Sequence, residues 1–202
     1  MAEQIKLPPP TSKGTMSLEE AISKRRSVRR FDTQPLSLAQ LSQILWSAQG
    51  LTSKDRRRAV PSAGATYPLE LFVVIGEETV ENLKAGIYRY EVSGHSLVLH
   101  SEGDVRGQLA EAALGQEFIA YCPADIIVCA IFSRTGRSYG RRGDRYVHME
   151  AGHVGQNISL QAITLGLATV MVGAFEDARV KTVLQLDEQI EPLYIIPAGK
   201  PT

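Results

Sequence analysis

Gly86-Ile87-Tyr88-Arg89-Tyr90-Glu91-Val92-Ser93-Gly94-His95-Ser96-Leu97-Val98-Leu99-His100 lies near the middle of the chain, and its reading decides the class. Two runs rich in aliphatic and aromatic residues, Gly86 to Glu91 and Ser96 to His100, flank Ser93-Gly94, which predicts a hairpin. A hairpin here breaks the strand–helix rhythm that a doubly wound parallel sheet needs, so the class is α+β.

Outward from the hairpin, Leu69 to Gly76 and Asp125 to Phe132 read as buried strands, with shorter strands near Ala168 to Val172 and Leu193 to Pro197. Ser17-Leu18-Glu19-Glu20 is a capping-box sequence, so a short helix runs to about Lys24. A second box, Ser37-Leu38-Ala39-Gln40, opens a helix with Leu38, Leu41, Ile44, Leu45 and Ala48 on one face and Gly50 as its stop. Further helices are expected over Asp104 to Ile119, Asp144 to Leu167 and Asp177 to Leu184. In the longest of these, Ala151, Gly155, Ser159 and Ala162 form a stripe of small side chains that would admit another helix closely. Ser133 to Arg142, polar and glycine-containing, reads as a mobile surface loop. Residues 1–16, with Pro8 to Pro10, read as an extended arm suited to wrapping a partner, which leaves 17–202 as the domain proper.

Composition removes several function classes. Hydrophobic residues make up 44% of the 202 and charged residues 22%, which is a folding composition. The longest nearly apolar runs fall far short of the roughly 20 residues that span a bilayer. The N-terminus lacks the apolar core and cleavage site of a signal peptide, so a cytoplasmic location is expected. Cys122 and Cys129 make no disulfide framework, which fits a reducing compartment. Among the histidines, His148 and His153 lie five apart on different helix faces, so no metal site is expected. The sequence has no GxGxxG after a strand, no P-loop and no HExxH.

Formal net charge is zero, with 22 basic and 22 acidic side chains, so no long-range field would hold nucleic acid. Yet 14 of the 22 cations lie in three clusters: Lys24 to Arg30, Lys54 to Arg58 and Arg134 to Arg145. Concentrating cations in a neutral protein costs self-repulsion and points to a compact anion such as phosphate. In the first cluster, an extended backbone after Arg26 would turn Arg25, Ser27 and Arg29 to one side.

Arg25-Arg26-Ser27-Val28-Arg29-Arg30-Phe31 resembles the N-terminal signature of the nitroreductase family, flavoproteins that bind FMN at a homodimer interface. The resemblance implies that Arg25 and Ser27 hold the FMN phosphate, that Arg29 reaches the pyrimidine side of the flavin, and that Arg26 contributes through backbone or side chain. Pro61-Ser62-Ala63-Gly64-Ala65-Thr66-Tyr67-Pro68-Leu69-Glu70 resembles the family's flavin-contacting loop in its SagB-type dehydrogenase version, which nominates Pro61, Ser62, Ala63, Gly64, Ala65 and Tyr67. Ala65 stands where better-known members carry an asparagine. Glu150-Ala151-Gly152-His153-Val154-Gly155-Gln156-Asn157 is similar to the branch's central dimer helix. Met171 to Phe175 resembles the segment covering one flavin face, which nominates Val172, Gly173 and Ala174, and the C-terminal turn nominates Lys200.

What the resemblance implies is a nitroreductase-like fold, with a central, mainly antiparallel sheet flanked by helices, a long dimer helix and an intertwined homodimer. It also implies an FMN-dependent oxidoreductase that carries hydride by a ping-pong route from NAD(P)H to a small organic acceptor. In the SagB-type branch a Lys-Tyr pair upstream of the central helix is linked to oxidation of azoline rings in peptides. Here the place offers Ser138-Tyr139 or Arg137 with no lysine, so Tyr139 is the catalytic candidate, and azoline dehydrogenation and a non-catalytic flavin carrier are the alternatives.

Overall fold

Along one central strand Leu69, Leu71, Val73 and Ile75 are buried in one hydrophobic cluster, while Phe72 and Val74 are buried in another. A strand apolar on both sets of alternate residues must be covered on both faces, and that sets the layering of the whole chain. The computed structural model describes residues 4–202. In chain order its elements are β1 (Gln4–Lys6), α1 (Leu18–Lys24), α2 (Leu38–Gln49), β2 (Leu69–Ile75), β3 (Gly86–Glu91), β4 (Ser96–Glu102), α3 (Arg106–Ala112), α4 (Phe118–Tyr121), β5 (Ala124–Ala130), α5 (Phe132–Tyr139), α6 (Gly143–Thr164), β6 (Ala168–Thr169), α7 (Asp177–Val183) and β7 (Glu191–Gly199).

The strands form one sheet in the order β1-β4-β3-β2-β5-β7-β6, and each of these neighbouring pairs is antiparallel. On one face Leu41, Ile44 and Leu45 of α2 join Val147, Val154 and Ile158 of α6 over the sheet. On the other, Leu109 of α3, Ile119 of α4 and Val180 of α7 form the second core. The α+β class and the antiparallel sheet flanked by helices are therefore as expected. The capping box at Ser37 is complete, with both reciprocal bonds made. At Ser17 only half of it forms: the hydroxyl accepts from the Glu20 amide, but the Glu20 carboxylate turns to Lys24 at 2.6 Å.

Four expectations need correction. The helix expected over Asp104 to Ile119 is two helices, because Leu114 and Gly115 take left-handed backbone conformations (φ 60° and 75°) and the Gly115 amide closes α3 on the Ala110 carbonyl at 3.0 Å. Ser133 to Arg142 is not a mobile loop but α5 with a following 3₁₀ turn, Gly140–Arg142. Thr135 of α5 is 1% exposed and its hydroxyl meets that of Thr66 at 2.8 Å, a tertiary contact that local composition does not reveal. The described part of the N-terminal arm is extended but docks on its own chain: β1 pairs with β4, Leu7 is buried, and the Pro8 carbonyl accepts from Ser42 at 2.6 Å. Lastly, the small-residue stripe of α6 is turned inward. Ala151 and Ala162 lie in the core, a Cβ on Gly155 would meet the Met171 sulfur, and Thr169 donates to Ser159 at 3.3 Å. The stripe lets the chain's own sheet approach α6, not a second helix.

Candidate cofactor and active site

Helix α1 ends in a short polar turn that feeds directly onto the sheet. The Arg25 amide closes α1 on the Ala21 carbonyl, and the chain then runs extended beside β6, with a parallel bridge between Ser27 and Thr169 and a 3.1 Å bond from the Val28 amide to the Thr169 carbonyl. It next meets the C-terminus, where the Asp32 amide donates to the Lys200 carbonyl at 2.8 Å and Phe31 bridges Pro201. Main-chain bonds thus bring Arg25, Ser27, Arg29 and Lys200, far apart in sequence, into one neighbourhood. Ser27 and Arg29 are exposed, Val28 is half-buried beneath them, and Arg25 is half-buried. Arg26 and Arg30 are exposed as well, so exposure alone does not set Arg25, Ser27 and Arg29 apart. Arg26 is engaged elsewhere: its guanidinium folds back to the carbonyls of Ser23 (2.9 Å) and Arg25 (2.7 Å), where a cation answers the partial negative charge of the end of α1. Lys200 reaches Gln34 Oε1 at 2.9 Å.

The second motif is a tight loop held by side chains. Ala63–Ala65 is a 3₁₀ turn with left-handed backbone at Gly64 (φ 59°) and Ala65 (φ 52°), and Tyr67 is left-handed as well (φ 45°). For Ala65 and Tyr67 that conformation is strained, so the surroundings must impose it. They do so from several sides. Ser62 Oγ accepts from the Tyr67 amide at 3.0 Å, Arg134 donates to the Tyr67 carbonyl at 3.1 Å, and Arg134 is in turn held by Glu70 at 2.6 Å. The Arg58 guanidinium lies 4.4 Å from the Tyr67 ring centroid, a cation–π contact. Gly64 has no room for a side chain, since a Cβ would stand 2.8 Å from the Tyr139 hydroxyl oxygen. Tyr139 thus projects from the end of α5 over the loop and packs edge-on against Tyr146 at 5.1 Å.

Beneath the loop lies a buried carboxyl. Glu150 on α6 is 3% exposed; burial pushes its pKa up, and hydrogen bonding from Ser62, the nearby Arg58 charge and Gln49 act against that rise. Arg58, itself lowered in pKa by burial, donates to Gln49 Oε1 at 2.8 Å and borders a polar cavity of ≈ 230 Å³ with Glu70, Arg89 and Arg134. The support residues Gln49, Arg58, Arg134 and Glu150 went unassigned in the sequence. Arg58 and Arg134 stood there only as members of basic clusters, and a buried glutamate inside a helix has no local signature.

The third motif is tied to β7 by paired bonds between Val172 and Ile195, at 2.9 and 3.0 Å. That leaves Val172 buried and Gly173 and Ala174 exposed. Gly173 borders a cavity of ≈ 420 Å³ with His148, Ala151, Phe175, Leu193 and Tyr194. Among the described residues no group of three or more His, Cys, Asp and Glu side chains could hold a metal, and no helix is long and apolar enough to cross a membrane.

These residues suit a flavin mononucleotide. Arginines on an exposed, main-chain-stitched strand suit a terminal phosphate. A loop of small residues with left-handed backbone at Gly64 and Ala65 lets backbone approach a flat ring. The chain is also similar to known proteins. A Methanocaldococcus jannaschii protein, provisionally named as the nitroreductase MJ1384, is 46% identical over 185 residues, covering 92% of this chain and 91% of that one. A nitroreductase-like crystal structure from Ralstonia eutropha superposes with a TM-score of 0.86 at 28% identity, covering 98% of this chain and 90% of that one. The microcin B17-processing protein McbC of Escherichia coli is 29% identical over 171 residues, 81% of this chain but 62% of that protein. The sequence model of the nitroreductase family matches residues 22–200, from α1 through the C-terminal turn, and so takes in all three motifs: the chain belongs to the nitroreductase family.

Proposed function

We propose that the chain is an FMN-dependent oxidoreductase, working as a homodimer, that takes hydride from NAD(P)H and delivers it by a ping-pong route to a small organic acceptor such as a nitroaromatic or a quinone. The observation that carries this reading is the stitching of the extended stretch after Arg25 to β6 at Thr169 and to the C-terminal turn at Lys200 and Pro201 by main-chain contacts, with Ser27 and Arg29 exposed along it. FMN bound there would supply the hydride chemistry at its N5, the cofactor carrying the difficult step.

The chain's own residues have simpler work. Arg25 and Ser27 hold the phosphate, Arg29 places a cation at the pyrimidine edge, and the Ser62–Tyr67 loop presents small side chains and oriented backbone to the ring. With Ala65 where an asparagine is usual, backbone groups of the loop meet the polar edge. Gly173 is exposed beside a cavity of ≈ 420 Å³, and we place the acceptor there. The dimer draws support from large apolar side chains left exposed on α1 (Leu18, Ile22), α6 (Met149) and the segment after β6 (Met171).

An anaerobic stopped-flow experiment tests this reading. Mixing FMN-loaded protein with NADH or NADPH should bleach the flavin rapidly with at least one of them. No bleaching, with flavin bound and reducible by dithionite, would remove nicotinamide as donor.

That outcome would favour a second reading, azoline dehydrogenation in peptides, which the likeness to McbC and the placement of Tyr139 over the loop support. Ser138 in place of the lysine weighs against it.

A further inference from the structure

We propose that Glu150 and Arg58 are positioning residues for the flavin-contacting loop, acting through a ring of five side chains: Arg58, Gln49, Glu150, Ser62 and Tyr67. The proposal rests on the reading of Ser62–Tyr67 as that loop. Three links of the ring are closed: Arg58 Nη1 donates to Gln49 Oε1 at 2.8 Å, the Arg58 guanidinium sits 4.4 Å from the Tyr67 ring centroid, and the Tyr67 amide donates to Ser62 Oγ at 3.0 Å. Glu150 stands between the remaining two members. Ser62 and Gln49 both oppose the rise that burial causes in the Glu150 pKa, and Ser62, which accepts from Tyr67, has its own hydroxyl proton to give.

Gln49 and Glu150 are 1% and 3% exposed, and Gln49 Nε2 and Glu150 Oε1 are each buried without a hydrogen bond of good geometry. An unpaired buried donor and an unpaired buried acceptor are both costly, and pairing one with the other would satisfy both. Three separate parts of the chain, α2, α6 and the stretch carrying Arg58, thereby converge on a loop whose Ala65 and Tyr67 sit in conformations that only surrounding structure can enforce. The ring needs a hydrogen-bonding group at 150 and a planar cation at 58. It does not need Glu150 to touch the flavin.

The test measures FMN affinity by flavin fluorescence titration, together with hydrogen exchange at the Tyr67 amide, in wild type and in Glu150→Gln, Glu150→Leu, Arg58→Met, Ser62→Ala and the Glu150→Leu/Ser62→Ala double variant. Glu150→Leu should weaken FMN about tenfold and speed Tyr67 exchange, while Glu150→Gln, which keeps an acceptor for both donors, should stay within about twofold of wild type. The double variant should be no worse than the worse single one, because both cut the same ring. Arg58→Met gives an independent break should Glu150→Leu fail to fold, and the same loosening of Tyr67 is expected. Wild-type exchange rates at Tyr67 in Glu150→Leu or Arg58→Met, or losses that multiply in the double variant, would overturn the ring. A wild type that binds no FMN would instead sink the cofactor reading, with the exchange data still deciding the ring.

Discussion

The two motifs nominated for the flavin are built in opposite ways. Arg25 to Phe31 is held by its backbone: amides of Val28 and Asp32 bond to Thr169 and Lys200, so Ser27 and Arg29 project with little structural duty. Ser62 to Tyr67 is held by side chains from elsewhere, among them Arg58, Arg134, Thr135 and Glu150. Changes at Arg25, Ser27 or Arg29 should therefore alter binding and spare the fold. Changes around the second should alter stability and loop geometry together.

The sharpest way to break this contrast is Arg25→Ala, expected to weaken FMN by about 1.5–3 kcal/mol, the range for a hydrogen bond to a charged group, while leaving the unfolding midpoint near wild type. A flavin titration beside a urea melt reads both, and a large loss of stability would show that this strand is not held by backbone alone. Gly64→Ala should destabilise by about 1–2 kcal/mol through its left-handed backbone, with a further penalty from the Tyr139 contact. Adding Tyr139→Ala should return only that second part. Equal stability in Gly64→Ala would mean that the loop is softer than its bonding implies.

A smaller, pH-dependent effect belongs to Glu150. Burial raises its folded pKa above the ordinary 4.5, so its contribution is full below that value and is lost as pH rises through the folded pKa. Glu150→Gln should accordingly gain stability over wild type toward neutral pH and show no gain in acid, as melts across that range would reveal. Arg26→Ala should be the mildest change, costing about 0.3–1 kcal/mol as a cation is removed from the end of α1, with FMN affinity close to unchanged. A marked loss of affinity would return Arg26 to the phosphate site.

Much of the fold was legible because its signals are local. Short continuous apolar runs located β2 and β5, Ser93-Gly94 marked the hairpin, and the Ser37 capping box with Gly50 bounded α2. Even the break between α3 and α4 had a local sign in Gly115, outweighed by the apolar pattern on either side. By contrast α5 is mostly polar, with Phe132 and Tyr139 as its large apolar groups, and Thr135, Arg134 and Tyr139 find their partners on the Ser62–Tyr67 loop and on α6. The N-terminal stretch reads as a free arm until Leu7 and Pro8 meet α2 and the β3–β4 hairpin.

By itself the sequence determined the class, nearly all the strands and helices, and the three motifs with their order, because caps, turns and hydrophobic periods act within a few residues. Tertiary structure alone decided that the small stripe of α6 faces its own sheet and that Gln49, Arg58 and Glu150 gather beneath one strained loop. Those outcomes depend on which buried polar group finds which partner across the core, and a hydrogen bond between distant residues leaves no periodicity to read.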